Sequence, residues 1–157
     1  MGLPKILIEF KTLAETLIVR SERGIVAVIL KDNSNTTKTA VYTKESEIVK
    51  SHYAATNLAY LSLVFMGGPS KVIVERVQTS DNISDALERL KNKRWYYLAV
   101  PGLGDGETDT VVEYIKEQRT QYHKTFKAVL PLAAADNEGI INFATDNIKV
   151  GAKTYTT

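Results

Sequence analysis

Gly102, Gly104 and Gly106 lie between the apolar run Trp95 to Val100 and a helical pattern that opens at Glu107 or Thr108. A glycine-rich turn between a strand and a helix is where a dinucleotide's phosphates are cradled, by backbone amides at the helix N-terminus. That fingerprint needs its third glycine at position 107, where this chain has Glu107. Asp105 and Glu107 would repel a pyrophosphate, and the next strand pattern, Phe126 to Leu130, ends without the acidic residue that would hold a ribose. Gly67-Gly68-Pro69-Ser70-Lys71 has the residue types of a phosphate loop but the order helix, glycines, strand, the reverse of what a P-loop requires. It reads as a helix-to-strand turn. His52 and His123, the two histidines, sit near the ends of predicted helices without metal-ligand spacing. No Gly-x-Ser-x-Gly elbow is present to activate a serine. Lys91, Lys93 and Arg94 beside Trp95, Tyr96 and Tyr97 have the makings of a nucleic-acid stacking site. They read better as a solvated helix end followed by a strand that enters the core, since positive charge suits a helix C-terminus. These residues point to no metal and no cofactor. A small α/β nucleotide-binding module or enzyme using the Gly102–Gly106 loop stays open as the alternative reading.

The totals bound the class of protein. A chain of 157 residues suits one domain, and 44% apolar with 24% charged residues are ordinary globular values. A net charge of +2 lacks the basic excess expected of a nucleic-acid binder. The absence of cysteine removes disulfides, thiolate metal sites and cysteine nucleophiles. The N-terminus has neither the charged nor the apolar region of a secretory signal, and no apolar run approaches the ~20 residues of a membrane helix. These readings place the protein in a cytoplasm or in something assembled there.

The elements that would position any site alternate strand and helix. Gly24 to Leu30 and Lys71 to Val77 are β-branched runs of the kind buried on both faces of a parallel sheet, and Lys38 to Thr43 is a short strand of edge type. Glu45 to His52 predicts a short helix, and Thr56 or Asn57 caps a second that runs to Met66 and should be largely buried. A third runs from the caps at Thr79 to Asn82 through Lys91, with Ile83, Ala86, Leu87 and Leu90 on one stripe. A fourth runs to about Tyr122, with Val111, Val112, Ile115 and Tyr122 facing the core. Strands follow at Phe126 to Leu130, Ile140 to Phe143 and Ile148 to Val150. The sum is an α/β fold with a mostly parallel sheet, flanking helices and right-handed crossovers. It lacks the covering helix with which such a domain usually closes.

Residues 1–23 read differently. Ile6, Ile8 and Phe10 alternate with Lys5, Glu9 and Lys11, and Leu17, Ile18 and Val19 form a second extended piece. Periodicity leaves two readings, an edge strand of the domain or an arm for another subunit's sheet.

Several segments in register along the whole chain resemble the N-terminal half of contractile phage tail sheath proteins, of the short type found in phages and phage-like particles of Gram-positive bacteria. They are Met1 to Pro4 with Ile8 to Lys11, Arg23 to Ala27 with Ile29 to Asp32, Gly67 to Val74, Tyr97 to Gly102, and Lys124 to Pro131 with Glu138 to Phe143. Family members are longer and carry a C-terminal domain beyond the region of Lys153 to Thr157, so the chain is expected to be truncated there. The resemblance implies a subtilisin-like sheath domain over 24–157 and an assembly arm over 1–23. It also implies subunits in hexameric rings stacked helically around an inner tail tube, with contraction driving the tube through a cell envelope. Strand addition between arms would link neighbouring copies. With the family in view, residues 1–23 become that arm, Ile6, Ile8 and Phe10 burying one face against a neighbour and Leu17, Ile18 and Val19 anchoring it. Tube contact would lie in the C-terminal part. The implied partners are other copies of the chain and the inner tail tube protein, with neither nucleic acid nor membrane. The implied location is a virion or phage-like tail, assembled in the host cytoplasm. Fold confers no chemistry, and with no credible triad no protease activity is expected.

Overall fold

The computed structural model describes residues 24–104, 106–143, 148–151 and 153–155. The arm residues Ile6, Ile8, Phe10, Leu17, Ile18 and Val19 lie outside the described residues, as does Asp105. The β-branched runs form the strands that their composition predicts. These are β1 (Ile25–Lys31), β2 (Thr39–Tyr42), β3 (Lys71–Val77), β4 (Tyr97–Ala99), β5 (Lys127–Pro131) and β6 (Ile140–Phe143). They make one six-stranded sheet in the order β2-β3-β1-β4-β5-β6. All neighbours are parallel except β2, which runs antiparallel to β3 with Val41 opposite Ile73. A separate antiparallel pair, β7 (Ile148–Val150) and β8 (Lys153–Tyr155), turns at Gly151 with φ of 61°. The pairing partner β8 is additional to the predicted strands.

Among the described residues three α-helices flank the sheet: α1 (Ala55–Met66), α2 (Ser84–Lys91) and α3 (Glu107–Thr120). Chain direction decides their sides. The crossover from β1 to β3 moves one way along the sheet, while β3 to β4 and β4 to β5 move the other. Right-handed crossovers therefore put α1 on one face and α2 and α3 on the opposite face. The packing agrees. Leu61 of α1 packs with Val28, Leu30, Val72 and Val74. Ala86, Leu87 and Leu90 of α2 and Val111, Val112 and Ile115 of α3 pack with Ala27, Ile29, Leu98, Ala128 and Leu130. The stripe on α2 is the predicted one. Trp95, fully buried, stacks on Phe126 at 3.7 Å between centroids and donates from Nε1 to the Leu90 carbonyl at 3.1 Å. Gly139 passes under α3 where a Cβ would lie 2.5 Å from Arg119 Cδ, so only glycine fits this close approach.

Several local expectations are corrected. Glu45 to His52 is not one helix but two 3₁₀ turns, Glu45–Glu47 and Lys50–His52. The β-branched pair Ile48 and Val49 between them is extended, at φ −72°, ψ 119° and φ −78°, ψ 102°. Neither Thr56 nor Asn57 caps α1, which begins at Ala55. Asn57 instead turns inward to donate to the Lys31 carbonyl at 3.0 Å and to Asp32 Oδ2 at 2.7 Å. Nor is α1 largely buried: Tyr60, Leu63 and Met66 are exposed, Met66 by 80%. Its apolar residues surround the helix, while only one side meets the sheet. Tyr122 does not face the core, because α3 stops at Thr120 and the chain turns away through His123 at φ 52°. The ladder of β4 begins at Tyr97, two residues after the predicted start at Trp95.

Candidate functional site

In open α/β sheets ligands bind beyond the carboxyl ends of the strands, where the strand order reverses. Here that point lies between β1 and β4, and the Gly102–Gly106 loop borders it. Glu107, the first residue of α3, folds back into the loop. Its Oε2 accepts from the Gly104 amide at 2.6 Å and from Lys31 Nζ, at the end of β1, at 2.8 Å. Burial pushes the Glu107 carboxyl up, but the bonds from Lys31 and Gly104 outweigh it and hold it below its ordinary range. The loop thus carries its own anion. The Gly104 amide and Lys31, which a nucleotide phosphate would need, are already engaged by an internal carboxylate. Sequence spacing marks Glu107 as an obstacle to a pyrophosphate; its pairing with Lys31 is a contact between residues far apart in the chain.

A second polar cluster lies on β3. Glu75 is fully buried, accepts from Thr39 Oγ1 at 2.9 Å and Arg89 Nε at 2.7 Å, and pairs with Lys93 Nζ. Lys93 is therefore engaged by an acid rather than merely solvated, a correction to the reading of the basic run. The neighbouring Arg76 donates to the carbonyls of His52 and Thr37, each at 2.7 Å, and lies over the Tyr53 ring at 4.5 Å. These charges fasten β3 to α2, to β2 and to the turns on either side of β2. The β-branched run Lys71 to Val77 carries no sign of this, since the partners come from other elements.

The remaining candidates come apart. His52 contributes its backbone carbonyl to Arg76, and His123 is exposed beyond α3. Among the described residues no group of three or more acidic or histidine side chains is placed to hold a metal. Trp95 and Phe126 line a shallow groove of about 460 Å³ with Arg94, His123 and Lys124, but Trp95 is fully buried and offers no face to a base. Gly68, at φ 65°, makes the helix-to-strand turn expected of it. No helix among the described residues is long and apolar enough to cross a membrane.

The sheet edges are better suited to binding. Among the described residues each outer strand is paired on one side only. Exposed Lys38 and Lys44 flank β2, the usual guard against unwanted pairing. β6 reads Ile-Ile-Asn-Phe with no charge, and Ile141 and Phe143 are each 42% exposed. Among the described residues it is an edge open to a further strand.

No protein-family model matches the chain. A curated relative, a tail sheath protein of Clostridium phage phiCD119, is 38% identical over 169 residues. That match covers 99% of this chain and 46% of the relative, so the chain spans about half the relative's length. A solved sheath tail protein from Desulfitobacterium hafniense superposes with a TM-score of 0.68 at 13% identity, covering 99% of this chain and 59% of that one. The second likeness shows the fold, a mostly parallel α/β sheet, and the first reaches across nearly every residue. Over nearly its whole length the chain is similar to a phage tail sheath protein, and its fold is that of a solved sheath tail protein.

Proposed function

We propose that the chain is the N-terminal portion of a structural subunit of a contractile tail sheath. Residues 1–23 are its assembly arm and 24–157 its α/β sheath domain. Copies polymerise as stacked hexameric rings around an inner tail tube, and contraction drives the tube through a cell envelope. The subunit is assembled in the host cytoplasm and works in the virion or phage-like tail. The observation that carries this reading is the 38% identity to a tail sheath protein across 99% of the chain. The internal Lys31–Glu107 pair beside the glycine loop supports a structural reading of that loop. No catalytic residue is assigned, and contact with the tube falls to the part of the subunit outside this chain.

The arm works by strand addition, with Ile6, Ile8 and Phe10 on one face and Leu17, Ile18 and Val19 as anchor. Three such side chains, at roughly 1.5–3 kcal/mol each when buried, are enough to supply a large part of one subunit contact. Deleting residues 2–20 from the full-length subunit is expected to leave a folded, soluble protein by circular dichroism that no longer pellets as polymer. Ile8→Asp weakens assembly in the same direction, because a desolvated carboxylate would face the neighbour. A truncated protein that still pellets as sheaths, or that unfolds, overturns the arm.

A further inference from the structure

Among the described residues, one half of one sheet face is bare. On the α1 side, α1 covers β2, β3 and β1, and the face then continues without a helix over β4, β5 and β6. The register places Tyr97, Ala99, Val129, Pro131, Ile141 and Phe143 on that half, with Lys127 opposite Tyr97 at its border: Ala99 pairs with Val129, Val129 with Ile141, and Pro131 with Phe143. Their sequence neighbours Leu98, Ala128 and Leu130 point the other way, into the core under α2 and α3. Tyr97, Val129, Ile141 and Phe143 are 41–42% exposed. Parallel sheets are covered on both faces, and a contiguous apolar patch of this kind marks an interaction surface.

The topology says where the cover must originate. Every crossover beyond β1 in this direction is right-handed and falls on the α2 and α3 side. The β5-to-β6 connection also lies there, with Ala133 buried in that core. No described segment between β1 and β6 reaches the bare half, so its cover comes from outside them. The relatives contain the material. This chain matches 46% of the phage relative and 59% of the solved sheath tail protein, leaving the remaining 54% and 41% of their lengths outside the match.

We propose that this half-face seats an amphipathic helix contributed in cis by the part of the sheath subunit outside this chain, lying beside α1 and completing the second helical layer. The proposal rests on the sheath reading, and deepens it by assigning this surface to the subunit's own interior rather than to a neighbouring copy. A helix suits the site because α1 already forms one row of that layer, and a flanking helix with an apolar stripe would cover Val129 and Ile141 together.

The chain has no cysteine, so Val129→Cys or Ile141→Cys introduces a single thiol. Maleimide labelling is compared in the 157-residue chain and in the monomeric full-length subunit isolated by gel filtration. Thr36→Cys on an exposed loop calibrates full reactivity, and circular dichroism confirms folding. Both face thiols are expected to react readily in the short chain and about tenfold or more slowly in the full-length monomer. Equal reactivity in the two monomers overturns the proposal, including the case in which protection appears only on polymerisation, when the face is a contact between copies. Protection already in the short chain overturns it too, because residues 1–23 or a second copy would then be the cover. Tube formation, followed separately by electron microscopy, tells failure of this assignment from failure of the sheath reading.

Discussion

Replacing Asp32 with Asn isolates the joint between β1 and α1. Asp32 is buried at the end of β1 and accepts from the amides of Ser34 and Ala54, each at 2.8 Å, and from Asn57 Nδ2 at 2.7 Å. Burial pushes its carboxyl up, but these donors together outweigh burial and bring it from an ordinary 3.8 to about 2. A folded-state value below the unfolded one contributes stability above pH 4 that is lost as pH falls toward 2. At about 1.4 kcal/mol per pH unit, the contribution is about 2 kcal/mol at neutral pH, with about half gone by pH 3 and most by pH 2. Asn has the same shape but no charge, and its amide group would meet donors with a donor. Asp32→Asn is therefore expected to lower stability by about 2 kcal/mol at pH 7, the gap closing on acidification. Urea unfolding followed by the fluorescence of Trp95, the single and fully buried tryptophan, reads this directly. A gap that persists unchanged from pH 7 to pH 3, or is absent at pH 7, refutes the reasoning.

Two further outcomes follow from the polar clusters. Arg89→Met and Lys93→Met each leave Glu75 one cation, and both cations are partly exposed, so each should cost about 1 kcal/mol. The double substitution strands a buried carboxylate and should cost about 3 kcal/mol or more; additive costs in denaturant titrations would show that the cations act independently. Because Glu107 occupies the Gly104 amide, calorimetry with ATP, GTP, NAD and NADP should show no binding below millimolar concentration. A saturable micromolar signal lost in Gly104→Val would favour the nucleotide reading instead.

The parallel core was legible because its information is local. The run Lys71 to Val77 and the stripe Ile83, Ala86, Leu87 and Leu90 declare their elements by composition and period, and the structure places both as read. What periodicity misses is what partners decide. Val129, Ile141 and Tyr97 look like core residues in sequence, and their exposure follows from which face the crossovers leave uncovered. The same holds for α1, apolar all round but touched on one side, and for Asn57, whose amide meets Asp32 across 25 positions rather than capping its own helix. Glu75 and Arg76 interrupt an apolar strand without breaking it because Arg89, Lys93 and backbone carbonyls lie within reach. Those partners come from other elements, so no window of the sequence contains them.

The central claim is that the chain forms part of a sheath that builds itself. Electron microscopy of the full-length subunit, purified without tube protein, tests it most directly. The account predicts hollow tubular polymers with a helical repeat. Folded subunits that stay dispersed at every concentration and ionic strength at which they remain soluble would contradict it.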